Sequence, residues 1–248
     1  MDVSLYQAAA AMNATERWQD MLADNLTTGS VAGARKRDIT FSAVQAGLDS
    51  SAAGTGSANY VIPSASVTIN FQQGELRPSA STMDFALEGP GLFAVQMPDG
   101  KNAYTRGGEF QLNAQGQLVT KQGYMVMGDG GPVQMDPNNP APLTVSATGE
   151  VSQGKDIKGK LSVVEFANQQ ELTMIGGGYF RMDDPNSLPV PSAGTSVRQG
   201  FTEAANTSPT LEMAGLITAM RMFETNQKVL QMQNDRMGRI ITDLSGTT

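Results

Sequence analysis

The stretch from Leu211 to Leu244 constrains this chain most. Met213, Leu216, Met220, Phe223, Gln227, Leu230, Asn234, Met237, Ile241 and Leu244 follow at alternating steps of three and four, and eight of these ten residues are apolar. That is an a/d heptad seam, the pattern of a long helix that buries one narrow stripe against other helices. The other faces carry Glu212, Glu224, Asp235 and Asp243 against Arg221, Lys228, Arg236 and Arg239, four charges of each sign. Gln227 and Asn234 weaken the seam but can set its register. Ser208 or Thr210 can cap the start of the helix, and no proline follows Pro209. The same stripe also suits an ordinary core helix, so the rest of the chain has to decide what it is for.

A second helix is predicted at the other end. Met1, Leu5, Ala8, Met12, Thr15, Gln19, Leu22 and Leu26 again alternate by four and three, with Trp18 beside the seam. Ala8 to Ala11 favours helix and keeps it slim. With Thr15 and Gln19 in the stripe, this helix is weak alone and needs partners to bury its face. Gly29 and Gly33 end it, and Arg35-Lys36-Arg37 follows. Three charges make too small a patch for nucleic acid; they point to a solvated face or to pairing with acids of a neighbouring subunit. Ala43 to Ser66 is rich in Ala, Ser and Gly, with a low-complexity core at Ser50 to Ser57, and reads as an extended linker or a loop that orders on assembly.

Between the helices the period changes to two. Val67, Ile69 and Phe71 alternate, as do Phe85 and Leu87, and Leu92 to Met97 is a buried-type run. Short strands are predicted at Tyr104 to Arg106, Phe110 to Leu112, Gln117 to Thr120, Tyr124 to Met127, Leu143 to Val145, Lys160 to Phe166, Leu172 to Ile175 and Tyr179 to Met182. Pro98-Asp99-Gly100, Gly107-Gly108, Gln115-Gly116 and Gln122-Gly123 supply turns between them. The expected fold class is therefore α+β. N- and C-terminal α-helices pair as a coiled-coil-like domain, with a central antiparallel β domain that is either barrel-like or a sandwich.

The chemistry open to the chain is narrow. It has no cysteine and no histidine, which excludes disulfides, thiol chemistry, Cys/His zinc sites and any His-based triad. No cofactor and no metal-ligand cluster is expected. The net charge of −7 argues against nucleic acid as a partner. Residues 41–210 carry 15 acids and 9 bases, so the end segments are close to neutral and can meet without much repulsion. No secretory signal and no membrane span is expected from the apolar runs.

Two rival readings remain. An enzyme would have to work through the acid groupings Asp183-Asp184 or Asp84 and Glu88, for which a carboxylate pair cleaving a glycoside is the least strained chemistry. A binding module could present Tyr60, Tyr104, Tyr124 and Tyr179 as a ligand face. Gly176-Gly177-Gly178 and Gly128 to Gly131 lack the lysine and the strand-to-helix context of a phosphate loop and read as turns.

Three blocks of the sequence resemble the bacterial flagellar basal-body rod proteins, a family shared by the proximal and distal rod and related to the hook protein. The first is Ala23-Asp24-Asn25-Leu26 followed by Gly33-Ala34-Arg35-Lys36, with Ala34 where the family usually has an aromatic residue. The second runs through Gln73-Gly74-Glu75-Leu76, Met83 to Gly89, Gly91-Leu92-Phe93, Pro98-Asp99-Gly100, Tyr104-Thr105-Arg106, Gly116 to Val119 and Gly123-Tyr124. The third is Gln199-Gly200-Phe201, Glu203, Asn206, Glu212-Met213, Ile217, Arg221, Phe223-Glu224, Asn226 and Lys228-Val229. The short chain, its Met1-Asp2 start and Gly128 to Val133 are similar to the proximal-rod branch; the distal-rod branch is the alternative.

The resemblance implies a structural subunit, not an enzyme, with no cofactor. Its partners would be copies of itself, other proximal and distal rod subunits and the flagellar export apparatus. It would leave the cytoplasm through the type III export channel without a cleaved signal and work in the periplasm, in the drive shaft between motor and hook. Residues 1–34 and 203–248 would form the rod-core domain, residues 35–66 an extended linker and residues 67–202 the β domain. The residues expected at the assembly interface are Leu5, Met12, Trp18, Leu22, Asn25, Leu26, Met213, Leu216, Met220, Phe223, Leu230, Met237, Ile241 and Leu244. Stacking many copies head to tail would bury seams that one copy cannot bury by itself.

Overall fold

A computed structural model describes residues 3–46, 60–137, 139, 141–184 and 187–245. The low-complexity core at Ser50 to Ser57 lies outside them. The chain divides into two compact units: Met1–Leu26, Arg37–Thr68 and Pro209–Thr248 form one, and Thr27–Lys36 with Ile69–Ser208 form the other.

The helical unit is built on α1 (Val3–Thr28) and α2 (Pro209–Ser245), of 26 and 37 residues. Strands Arg37–Ala46 and Tyr60–Ile69 pair beside them, in much of the stretch expected as linker. The two-residue period of the first strand puts Ile39 and Phe41 on one side. Ile39 packs on the helix core, and Phe41 meets the edge of Trp18 with centroids 5.8 Å apart. That core is small: Met21, Leu22 and Ala219 are buried, with Trp18, Ile39 and Leu216 partly buried against them.

The expected coiled-coil-like domain does not form. The chain is β-rich, and among the described residues its two α-helices pair over a short stretch only. No described residue of α2 beyond Ala219 is buried. The physical reason lies in both seams. In α1 the stripe is thin, and Thr15 turns its hydroxyl onto its own helix, donating to Ala11 O and Met12 O at 2.9 and 2.8 Å. In α2 the buried stripe is not the apolar heptad stripe, as set out below. Among the described residues no helix is long and apolar enough to cross a membrane.

The β unit is built of short strands, and its central ones, Phe85–Glu88, Leu92–Gln96 and Asn102–Thr105, are buried along three or four successive residues rather than alternately. Its main sheet runs, in spatial order, Leu172–Gly176, Tyr179–Met182, Asn102–Thr105, Leu92–Gln96, Met125–Gly128, Leu118–Thr120 and Phe110–Leu112, all antiparallel. Val163–Glu165 also pairs with the start of Leu92–Gln96. A three-stranded sheet joins Leu143–Val145, Glu150–Gln153 and Asp156–Lys160. Two short pairs complete the unit, Ser196–Gln199 with Phe85–Glu88 and Phe201–Glu203 with Leu76–Pro78.

The turn at Pro98-Asp99-Gly100 shows how local chemistry sets register. Gly100 takes φ +80°, where a side chain would be strained, and Asp99 Oδ1 accepts from the Lys101 amide at 3.0 Å. Two cores result. One gathers Phe85, Phe93, Val95, Phe110, Leu118 and Val151 with their neighbours, and Phe93 meets the edge of Phe110 at 5.2 Å. The other centres on Leu92, Tyr104, Phe166, Leu172 and Phe180.

Candidate functional site

The faces of the two terminal helices are the candidate site. On α2 the buried or half-buried positions are Gly215, Val229 and a row of seven, Glu212, Leu216, Ala219, Phe223, Asn226, Leu230 and Gln233. That row too alternates by four and three, but in a register rotated from the apolar seam. Leu216, Phe223 and Leu230 belong to both. Glu212, Ala219, Asn226 and Gln233 stand where the apolar pattern placed Met213, Met220, Gln227 and Asn234.

Close approach explains the rotation. Ala219 is fully buried, and one turn earlier Gly215 has no side chain; a Cβ there would stand 3.2 Å from Leu22 Cδ2. Small residues four apart let Leu22 pack against the α2 backbone. A seam led by Met213 and Met220 would hold the helices further apart. Polar chemistry adds to this. Asn25, 2% exposed, donates from Nδ2 to Glu212 Oε2 at 3.2 Å and to Arg37 O at 2.9 Å, and its Oδ1 accepts from Arg37 N at 2.8 Å. Asp24 pairs with the Arg37 guanidinium.

The consequence is an apolar face of α2 left open. Met213, Ile217 and Met220 are 56, 55 and 53% exposed, and Met237, Ile240 and Ile241 extend the exposed apolar surface near the end of the helix. Of the residues expected at an interface, Trp18, Leu22 and Leu216 come together in the small core and Asn25 joins Glu212. Met12, Leu26, Phe223 and Leu230 are half-buried, while Met213, Met220, Met237 and Ile241 are exposed. Leu5 and Leu244 lie in α1 and α2, their side chains outside the described residues. Sequence reasoning missed Met21, Gly215, Ala219 and the burial of Glu212. The four-residue spacing of Gly215 and Ala219 was the available signal.

The basic cluster is also placed differently from the expectation. Arg35 is buried and pairs with Glu203 at 2.7 Å, and Arg37 pairs with Asp24. Both partners lie within the chain. Arg35 alone is drawn into the interior, just after the sharp turn at Gly33, while Arg37 and Asp24 stay partly exposed.

The groups behind the rival readings are spread and engaged. Asp183 accepts from Arg181 Nε at 2.6 Å, which holds its carboxyl below the ordinary value. Glu88 pairs with Arg198 at 2.8 Å, and Asp84 accepts from the Ser79 hydroxyl. Tyr104 and Tyr179 are core residues, and burial raises both phenols. Tyr179 meets the edge of Tyr124 at 4.9 Å. Tyr104 and Tyr179 pack inward and Tyr124 is half-buried, so these three form no open aromatic face; the Tyr60 side chain lies outside the described residues.

Comparison with known proteins fits this arrangement. The family described as flagellar hook protein FlgE/F/G D1 domain matches residues 86–153, within the β unit. The family described as flagellar basal body rod FlgEFG protein C-terminal matches residues 198–243, which include most of α2. The flagellar basal-body rod protein FlgF of Caulobacter vibrioides is 31% identical over 231 residues, 93% of each chain. FlgF of Mesorhizobium japonicum is 30% identical over 236 residues, again 93% of each chain. FlgG of Buchnera aphidicola subsp. Schizaphis graminum is 29% identical over 263 residues, covering 96% of this chain and 98% of its own. With a β unit, paired terminal helices and matches along nearly its whole length, this chain belongs to the flagellar basal-body rod protein family and is a structural subunit of that rod.

Proposed function

We propose that the chain is a proximal-rod subunit that joins copies of itself and neighbouring rod subunits through the open apolar face of α2. On this reading it leaves the cytoplasm through the flagellar export channel, with no cleaved signal, and works in the periplasm. There the assembled rod carries torque from motor to hook, and the chain acts by assembly rather than by catalysis. The terminal helices form the rod-core part and residues 67–202 the outer part.

The observation that supports it is the exposure of Met213, Ile217 and Met220 on one face of a long helix. Fully burying such a side chain from water contributes roughly 1.5–3 kcal/mol before entropy is subtracted, and about half of that is still to be gained at each of these. A second copy can supply that burial, and methionine adapts to neighbours in slightly different positions. The proximal position is supported by the two FlgF relatives, at 31 and 30% identity. The distal rod is the second reading, supported by FlgG relatives that match as much of the chain.

The test is mass spectrometry with subunit counting on detergent-extracted basal bodies from cells carrying the unaltered chain or the double variant Met213→Lys/Met220→Lys. A few copies of the unaltered chain and loss of the variant are expected. Normal incorporation of the variant would rule out the face, and a several-fold higher copy number would place the subunit in the distal rod.

A further inference from the structure

Glu203 is fully buried at the end of strand Phe201–Glu203. Its Oε1 pairs with Arg35 Nη2 at 2.7 Å and accepts from the Gly74 amide at 2.9 Å. Its Oε2 accepts from Arg106 Nε at 2.8 Å, and its main-chain oxygen accepts from the Gly33 amide at 2.7 Å. Arg106 also donates from Nη1 to Gly91 O and from Nη2 to Leu87 O. Three segments distant in sequence, 33–36, 70–75 and 203–206, therefore meet at one carboxylate.

Asn206 repeats the arrangement one step along the chain. Its Oδ1 accepts from Lys36 N at 2.7 Å, and its Nδ2 donates to Asn70 O and Gln72 O, both at 2.9 Å. Lys36 O accepts from Asn70 N, and Glu75 O accepts from Ala204 N. The backbones touch directly. A Cβ on Gly33, which sits at φ +71°, would overlap the Arg106–Gly107 backbone, and one on Gly74 would overlap the Ala204 carbonyl. Each of these segments lies next to a point where the chain passes out of the β unit or back into it: after Lys36, before Ile69 and after Ser208.

The charge balance makes Glu203 decisive. Two buried guanidinium groups share one carboxylate, and Arg35 Nε and Nη1 are buried without a hydrogen-bond partner. Burial lowers the Arg106 guanidinium below its ordinary value, with Glu203 opposing the fall and Arg35 adding to it. Without the carboxylate, two cations would be left in the interior, which is far costlier than losing a neutral hydrogen bond. The β cores around Phe93 and Phe180 touch this cluster at Phe71, whose ring lies 5.4 Å from that of Phe180, and at Leu87, whose carbonyl accepts from Arg106; their other strands lie outside it.

We propose that Glu203 is a latch through which the three crossing segments open and close as one unit, separately from the β cores. The way out of the β unit at Lys36, the way in at Ile69 and the way out at Ser208 are then fixed or released together. Native proteins open in such cooperative parts below the free energy of global unfolding.

The test is native-state hydrogen exchange on the full chain, followed by NMR at the amides of Gly33, Lys36, Asn70, Gly74 and Ala204. In the unaltered chain these five are expected to share one opening equilibrium. Glu203→Gln should accelerate all five at least tenfold and leave strands Leu92–Gln96 and Asn102–Thr105 unchanged. Acceleration of Gly74 alone would mean a local hydrogen bond and would overturn the latch, as would equal acceleration of the core strands. Should Glu203→Gln fail to fold, Asn206→Ala removes the ties to Lys36, Asn70 and Gln72 without stranding a charge. It should accelerate Gly33 and Gly74, which it does not touch, and unchanged exchange there would overturn the proposal.

Discussion

Asn25 Nδ2 donates to Glu212 Oε2 at 3.2 Å, joining the last turn of α1 to the first turn of α2 across 187 positions of sequence. The same side chain exchanges hydrogen bonds with both backbone groups of Arg37, so it also sets where the chain turns from helix to strand. Glu212 is well placed for this role, since a carboxylate is favoured at a helix N-terminus. Replacing Asn25 by Ala removes three hydrogen bonds and leaves buried groups unpaired. A loss of about 2–4 kcal/mol is expected in the helical unit, read as faster hydrogen exchange at the end of α1 with the β unit unchanged.

Gly215 tests the close approach of the helices. Gly215→Ala gains about 1 kcal/mol of helix propensity but brings a Cβ to 3.2 Å from Leu22 Cδ2, the flexible tip of that side chain. Those effects oppose, so Ala should be close to neutral. Gly215→Leu has no such room and should cost about 1–3 kcal/mol. Urea unfolding monitored through Trp18, which lies at this core, separates the two variants.

The two registers of α2 make opposite forecasts for adjacent residues. Ala219 is fully buried and Met220 about half exposed. Ala219→Leu should therefore overpack the helix core and cost about 1–3 kcal/mol. Met220→Gln in the unassembled chain should stay within about 0.5 kcal/mol of the unaltered protein. The apolar heptad register predicts the reverse order, and the same urea unfolding decides between them.

Phe93 belongs to the β unit alone. It is fully buried and meets Phe110 edge-on. Phe93→Ala should cost about 3–5 kcal/mol, with lost protection in strands Leu92–Gln96 and Asn102–Thr105 as the readout.

Alkaline pH should weaken the β unit through Tyr104 and Tyr179. Burial raises both phenols above the ordinary value of 10.0. The folded state therefore keeps its protons longer than the unfolded chain does. This contribution is fully present below pH 10 and is lost as pH rises through the folded values. Tyr104→Phe/Tyr179→Phe should flatten the alkaline limb of a stability-against-pH curve measured by thermal melting, and an unchanged slope would refute the assignment.

The sequence by itself determined where the helices stand and where several of the strands run, because these rest on local period and turn chemistry. Helices stand at both ends, and strands Phe110–Leu112, Leu143–Val145 and Tyr179–Met182 begin and end where the alternation says. The family was legible too, because its motifs sit in that order along the chain. Strands such as Arg37–Ala46 and Phe201–Glu203 were missed, the one because it starts in the basic cluster and runs into the small-residue stretch, the other because it is too short to show alternation.

Only the tertiary structure decided which face of α2 turns inward. Apolarity alone favours Met213 and Met220, and a helix of 3.6 residues per turn accommodates either stripe. The choice falls to Gly215 and Ala219 because close packing depends on what the partner helix brings, here Leu22, and no single-chain pattern carries that. The same holds for Arg35. As sequence it is one of three adjacent cations, and it becomes a buried half of an ion pair only when a strand near the other end of the chain delivers Glu203. Charge pairing between residues so far apart is settled by chain path, which local sequence does not encode.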